Sequence, residues 1–289
     1  MKPRSLLLAA LTPLLLATAR ADCPPAGLSP EQLRATPPGT ALQARALELL
    51  DCLSNPDPAL RDGLAFEQIS TWARARALEP ATLQAMRERL LPALRSRDEA
   101  GFLAPFAALT LSEVARVDRI KPFLSAAERD ELLQQASAYL AGATDRRGFD
   151  AKQGWRHGVA HGADLLMQLS LNPALDTAQQ RRILDAVATQ ILADGRHAYV
   201  FGEGQRLARP ALFAALRSGI EATAWSAWLQ SALAPLGPAD APLDAAGLAR
   251  LHNAREFLWP LYFSIAELKG EAARTQLLPA VAQALKSLP

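Results

Sequence analysis

The chain has 289 residues, 50% hydrophobic and 21% charged, with 31 Lys and Arg against 29 Asp and Glu. That balance excludes a disordered or collagen-like chain. Two cysteines exclude a disulfide-dense scaffold, an all-Cys zinc site and an iron–sulfur cluster. Val and Ile together occur only twelve times, while Leu and Ala recur in nearly every block of ten. A large sheet is therefore excluded and an all-α fold is expected.

Residues 1–21 read as a secretory signal peptide. Lys2 and Arg4 form a positive start, Leu6 to Ala17 is an apolar run broken by Pro13, and Ala19 and Ala21 supply the small residues of a cleavage site. The run falls short of the roughly 20 residues that span a bilayer. The expectation is export to the periplasm or the outside, cleavage after Ala21, and a mature helical-repeat domain over 22–289 with no membrane span. Asp22 stands where a lipobox would need a small residue before Cys23. Cleavage removes Lys2, Arg4 and Arg20 and no acid, so 28 basic residues face 29 acidic ones and the formal charge moves from +2 to −1. No basic run with interleaved aromatics follows, and no nucleic-acid partner is expected. Cys23 and Cys52 leave two readings open. One is a disulfide tying the Pro-rich arm (Pro24, Pro25, Pro37, Pro38) to the helix of Leu47, Leu50 and Leu53; the other is two free thiols. Export favours the disulfide.

Helices are predicted over 40–53, 57–76, 80–95, 99–117, 125–141, 153–170, 177–193, 208–218, 220–234, 244–268 and 271–287. Ser125 with Glu128 has the spacing of a capping box, and Asp57-Pro58 places proline in a first turn. Gly202-Glu-Gly204-Gln-Arg206 lacks a third glycine and follows no strand, so it reads as a loop. The turn and helix start Asn55-Pro-Asp-Pro-Ala-Leu-Arg-Asp62 resembles a HEAT repeat, in which the Asp caps a helix and the Arg reaches a neighbouring repeat. Helix pairs recur at about 40 residues. The expected fold is an all-α, HEAT-like right-handed alpha-alpha superhelix of degenerate helical pairs. The Gly202–Gly204 loop and the Pro235–Pro242 stretch are its only candidate seams.

All four histidines, His157, His161, His197 and His252, fall in the second half. On a helix over 153–170, at about 100° per residue, His157, His161 and Asp164 share one stripe beside the core face of Trp155, Leu165, Leu166 and Leu169. Gly158 and Gly162 fall within the core face, where a missing side chain admits a packed helix. Three readings of the stripe stay open. It can be a buried hydrogen-bonded network closed by Arg147 or another chain. It can be a polar binding groove of Arg147, Trp155, His157, His161 and Asp164. It can be a metal site, such as zinc, with His157 and His161 as ligands, Asp164 as ligand or base, and a further imidazole ligand from His197 or His252, supporting hydrolysis. Arg147 could clamp an anion, or pair with Asp145. His197 with Glu203, and His252 with Asn253, read as ordinary polar surface. HExxH, GxSxG and Walker A motifs are absent.

DPALRD at 57–62, DRRGF at 145–149, GWRHGVAHGADLL at 154–166 and HNAREFLWPLYF at 252–263 resemble the uncharacterised bacterial family called domain of unknown function 2785. The resemblance spans about residues 50–265. Gly142-Ala143-Thr144 departs from it where the family carries an acidic residue, and Ala104-Pro105-Phe106 departs from an Arg-Ser-Phe block. The resemblance implies a helical fold, draws attention to His157, His161 and Asp164, and supplies no reaction. The functional expectation is an exported binding or scaffold protein whose concave groove takes a protein, peptide or small ligand in the envelope, with no cofactor. The alternatives are the metal-assisted hydrolase and a structural component of an envelope complex.

Overall fold

The computed structural model describes residues 23–25, 28–238, 240 and 244–289. The predicted signal segment 1–21 and part of the Pro235–Pro242 seam lie outside the described residues.

The described residues are all-α apart from one small hairpin. Helices α1 (Pro30–Arg34) and α2 (Gly39–Glu48) lead through a 3-10 turn (Leu49–Ser54) to α3 (Pro58–Leu60), a π-helical turn (Arg61–Phe66) and α4 (Glu67–Arg74). Then come α5 (Pro80–Ala93), α6 (Leu103–Ile120) and α7 (Ala126–Ala141). The hairpin pairs β1 (Phe149–Asp150) with β2 (Gly154–Trp155), Phe149 opposite Trp155. The rest is α8 (Gly158–Ser170), α9 (Thr177–Ile191), α10 (Glu203–Ser218), α11 (Ala222–Leu233), α12 (Ala245–Ala266) and α13 (Glu271–Lys286).

Helix starts follow local chemistry. Ser125 Oγ accepts the Glu128 N–H (3.3 Å) while Glu128 Oε2 accepts the Ser125 N–H (2.8 Å), the reciprocal capping box expected from their spacing. Asp57 Oδ1 accepts the Ala59 N–H (2.9 Å), with Pro58 in the first turn. Cys23 and Cys52 are joined in a disulfide, 29 residues apart in sequence.

Helices α4, α6, α8, α10 and α12 pack one against the next in chain order. The intervening helices back them: α7 contacts α9, α9 contacts α11, and α11 contacts α13. Buried apolar residues from Leu33 to Val281 form one connected cluster. Gly158 and Gly162 let α8 lie close to α7, because a Cβ on Gly162 would sit 3.1 Å from Tyr139 Cε1. Gly204 does the same between α10 and α12, where a Cβ would meet the Glu256 backbone at 2.6 Å.

A buried polar node locks two turns together. The Asp118 carboxylate accepts from Arg129 Nε (2.8 Å), Asn172 Nδ2 (2.9 Å) and the Phe123 and Leu124 N–H groups (3.0 and 2.9 Å). Burial raises the pKa of Asp118, but the Arg129 and backbone donors outweigh it and hold the carboxyl below its ordinary value.

Two predicted segments are corrected by the structure. The helix expected over 153–170 starts only at Gly158, because residues 149–155 turn back as a hairpin. Asp150 Oδ1 accepts the N–H groups of Lys152 and Gln153 (2.9 and 2.8 Å), and Gly154 takes a φ of +72°, so no helix can run through them. Conversely, the segment read as a loop at Gly202–Arg206 opens α10, with Gly202 at φ +85° preceding its first turn.

Candidate functional site

On the face built by α6, α8 and α10 lies an open cavity of about 470 Å³. Four parts of the chain supply its walls. The π-helical turn gives Asp62 and Phe66, and α6 gives Phe106 and Leu109. The hairpin and α8 give Trp155, His157 and His161, and the start of α10 gives Gln205, Arg206 and Arg209. Phe201 closes the mouth opposite Trp155, ring centroids 5.6 Å apart and nearly perpendicular.

The DPALRD segment reaches the site through Arg61, whose side chain is fully buried. Its Nη2 donates to the Gln153 carbonyl (2.8 Å) and its Nη1 to the Asn55 carbonyl (2.9 Å). Its guanidinium lies 4.0 Å above the Phe102 ring and 4.8 Å from that of Phe106. Arg61 thereby fastens the turn before α4 to the hairpin 92 residues later. Its Nε also lies 2.7 Å from Asp62 Oδ1, engaging the only carboxylate that lines the cavity among the described residues.

His157 precedes the first turn of α8 with φ 54° and ψ 36°, left-handed backbone that a non-glycine residue adopts only under constraint. The constraint is visible: the Arg156 and His157 N–H groups bond to the Gly148 and Arg147 carbonyls (2.9 and 3.0 Å), extending the hairpin ladder to the helix start. The imidazole is stacked on Trp155, centroids 4.7 Å apart and 24° between planes. Its Nε2 lies 3.6 Å from Glu203 Oε1, and neither atom has a hydrogen-bond partner. Burial first, then the Arg206 charge, push the His157 pKa down to about 4 against the opposing Phe201 carbonyl.

His161, one turn on, packs edge-on against Phe106 at 5.3 Å. Its Nδ1 lies 3.2 Å from the Pro105 carbonyl, which can only accept, so Nδ1 carries the proton. The lone pair therefore sits on Nε2, which opens on the cavity. Burial, His157 and Arg206 hold His161 well below its ordinary pKa. Both imidazoles are neutral at pH 7.

Asp164 is buried one further turn along α8 and does not line the cavity. Arg206 Nη2 lies 3.2 Å from its Oδ2. Burial nonetheless outweighs the pull of Arg206 and Arg209 and raises the Asp164 pKa to about 6. Arg209 is exposed and makes no ion pair among the described residues.

Trp155, His157 and His161 are thus brought together, with Asp164 behind them through Arg206. Arg147 is not part of the group. It binds Asp145 through Nε–Oδ1 (2.8 Å) and Nη2–Oδ2 (2.5 Å), half exposed and outside the cavity wall. The cavity's cations come from α10 instead, a helix start hidden from the sequence by its flanking glycines. The third imidazoles of the metal reading are also elsewhere. His252 Nε2 bonds to the Tyr199 carbonyl (2.7 Å), and the His197 ring packs 5.8 Å from that of Tyr199. Beside them Asn253 accepts the Tyr199 N–H (2.7 Å) and donates to the His197 carbonyl (2.9 Å). These contacts clasp the 197–201 segment to α12 and so position Phe201. Among the described residues, no group of three or more His, Cys, Asp or Glu side chains is placed to hold a metal ion. No helix among them is long and apolar enough to cross a membrane.

No curated protein and no solved structure matches the chain. A family model matches residues 91–263, more than half the chain, including the hairpin, α8 and the start of α10. The chain belongs to the family described as Protein of unknown function (DUF2785).

Proposed function

We propose that this chain is an exported small-ligand binding protein, and that the cavity on the α6–α8–α10 face is its binding site. In this reading the helix pairs form a HEAT-like right-handed superhelix over 22–289, and the cavity lies on its concave side. The observation that carries the reading is His161: a buried, neutral imidazole whose Nε2 lone pair opens unpartnered into a cavity of about 470 Å³ walled by aromatic rings. An imidazole acceptor that faces a cavity is free to take a donor from a ligand, and the volume lies in the range of small-molecule sites. The left-handed backbone of His157, φ 54°, supports it too, because such strain collects at ligand clamps. Export rests on the pattern of residues 1–21 and is compatible with the Cys23–Cys52 disulfide.

A metal-assisted hydrolase is less well supported. His157 Nε2 faces Glu203, Asp164 faces Arg206, and His161 Nδ1 faces a carbonyl, so the three groups are directed to three different partners. The test is retention. Purified protein and an Arg209→Gln variant are equilibrated with a low-molecular-weight extract of the source cells, desalted, denatured and analysed by mass spectrometry. A molecule retained by the wild type and lost from the variant is expected. Identical, empty profiles would overturn the binding reading.

A further inference from the structure

The cavity has two chemically different halves, and together they specify a ligand more narrowly than binding alone. One half is apolar: Phe66, Phe106 and Leu109 form its floor, and Trp155 and Phe201 its rim. The other half is cationic. Arg206 and Arg209 stand one helical turn apart on α10, and the lone lining carboxylate, Asp62, is already engaged by Arg61 at 2.7 Å. Arg209 has no carboxylate of its own among the described residues, and Arg206 shares only Asp164. Two guanidiniums on one wall of the cavity suit an anion, and their planar donor forks match a carboxylate.

Between the halves stands His161, which presents a lone pair rather than a proton. A carboxylate oxygen would be repelled there; a hydroxyl would donate to it. A sugar acid would supply that hydroxyl, but its other hydroxyls would lie against Phe66, Phe106 and Leu109 without partners. A flat ring with one hydroxyl and one carboxylate leaves no polar group unpaired, and the indole of Trp155 gives it a surface to stack on.

From this division, and resting on the binding reading above, we propose that the site takes an aromatic carboxylate bearing a phenolic hydroxyl. The hydroxyl donates to His161 Nε2, the ring lies among Trp155, Phe106 and Phe66, and the carboxylate is held by Arg209 and Arg206.

Isothermal titration calorimetry with 4-hydroxybenzoate and 4-hydroxycinnamate tests this on the full mature chain, against 4-hydroxycinnamamide, cinnamate and glucuronate. At least one phenolic acid is expected to bind. Loss of the charge in the amide, and of the exposed Arg209 in Arg209→Gln, should each weaken it by about tenfold or more, as expected for a lost charge-assisted contact. Wild type should prefer 4-hydroxycinnamate over cinnamate, and His161→Phe, which has no acceptor, should erase that preference. Equal binding of acid and amide overturns the proposal, as does a hydroxyl preference that survives in His161→Phe. Binding of glucuronate alone overturns the phenolic class while leaving the binding reading standing. No binding by either phenolic acid also overturns the class, and the retention experiment then judges the binding reading separately.

Discussion

Replacing Asp164 by Asn isolates the electrostatic cost of the polar group behind the cavity. Asp164 is 7% exposed and its pKa is raised from 3.8 to about 6, chiefly by burial, even with Arg206 Nη2 at 3.2 Å. Between those two values the native chain holds a proton on Asp164 that the unfolded chain has lost, so stability falls as pH rises from about 4 to about 6. Below 3.8 both states are protonated and the cost vanishes; above about 6 both are ionised and the cost is complete. At about 1.4 kcal/mol per pH unit, that cost is on the order of 3 kcal/mol at pH 7, net of the attraction of Arg206. Asp164→Asn cannot titrate. Relative to wild type, the variant should therefore gain on the order of 3 kcal/mol between pH 4 and pH 7. The lowered pKa values of His157 and His161 contribute a pH dependence of the opposite sign, but both groups are present in both proteins and cancel in the difference. Urea unfolding of both proteins at half-unit pH intervals measures it. A difference that is flat with pH, or that favours wild type as pH rises, would refute the assignment of a desolvated carboxyl to this position.

Three further outcomes follow from packing and covalent structure. Arg61→Lys should cost about 3–5 kcal/mol in denaturant unfolding, because a single ammonium cannot serve the Asn55 and Gln153 carbonyls, Asp62 and the two Phe rings at once. Gly204→Ala should destabilise by about 1–3 kcal/mol or more, since its Cβ would meet the Glu256 backbone at 2.6 Å. Gly63→Ala, where a Cβ meets nothing within 4 Å, is the matched control. The Cys23→Ser, Cys52→Ser double variant should lose about 3–4 kcal/mol, the loop-closure entropy for a separation of 29 residues. A reducing agent should lower wild-type stability by a similar amount and leave the double variant unchanged.

The helical class was legible because it rests on local, repeated signals. Leu and Ala at helical spacing, a shortage of Val and Ile, and caps such as Ser125 with Glu128 each act within a few residues. Their structural outcome, a capping box at the start of α7, is the one the spacing implies. The block GWRHGVAHGADLL drew attention for the same reason, and two of its imidazoles do line the cavity. The hairpin was missed because two short strands carry almost no periodicity. What turns the chain is one Asp side chain and one left-handed glycine, Asp150 and Gly154.

Tertiary structure alone decided which charges the site contains. Arg147 sits close to His157 in sequence, yet Asp145, two residues away, takes its guanidinium in a local ion pair. Arg206 is 45 residues beyond His161, yet the packing of α8 against α10 places it beside Asp164 and at the cavity wall. Sequence by itself determined that the protein is helical and which segment to examine, because helix formation and capping are short-range. Only the fold determined that the cavity is aromatic on one side and cationic on the other, because that pairing depends on which helix faces reach across α8.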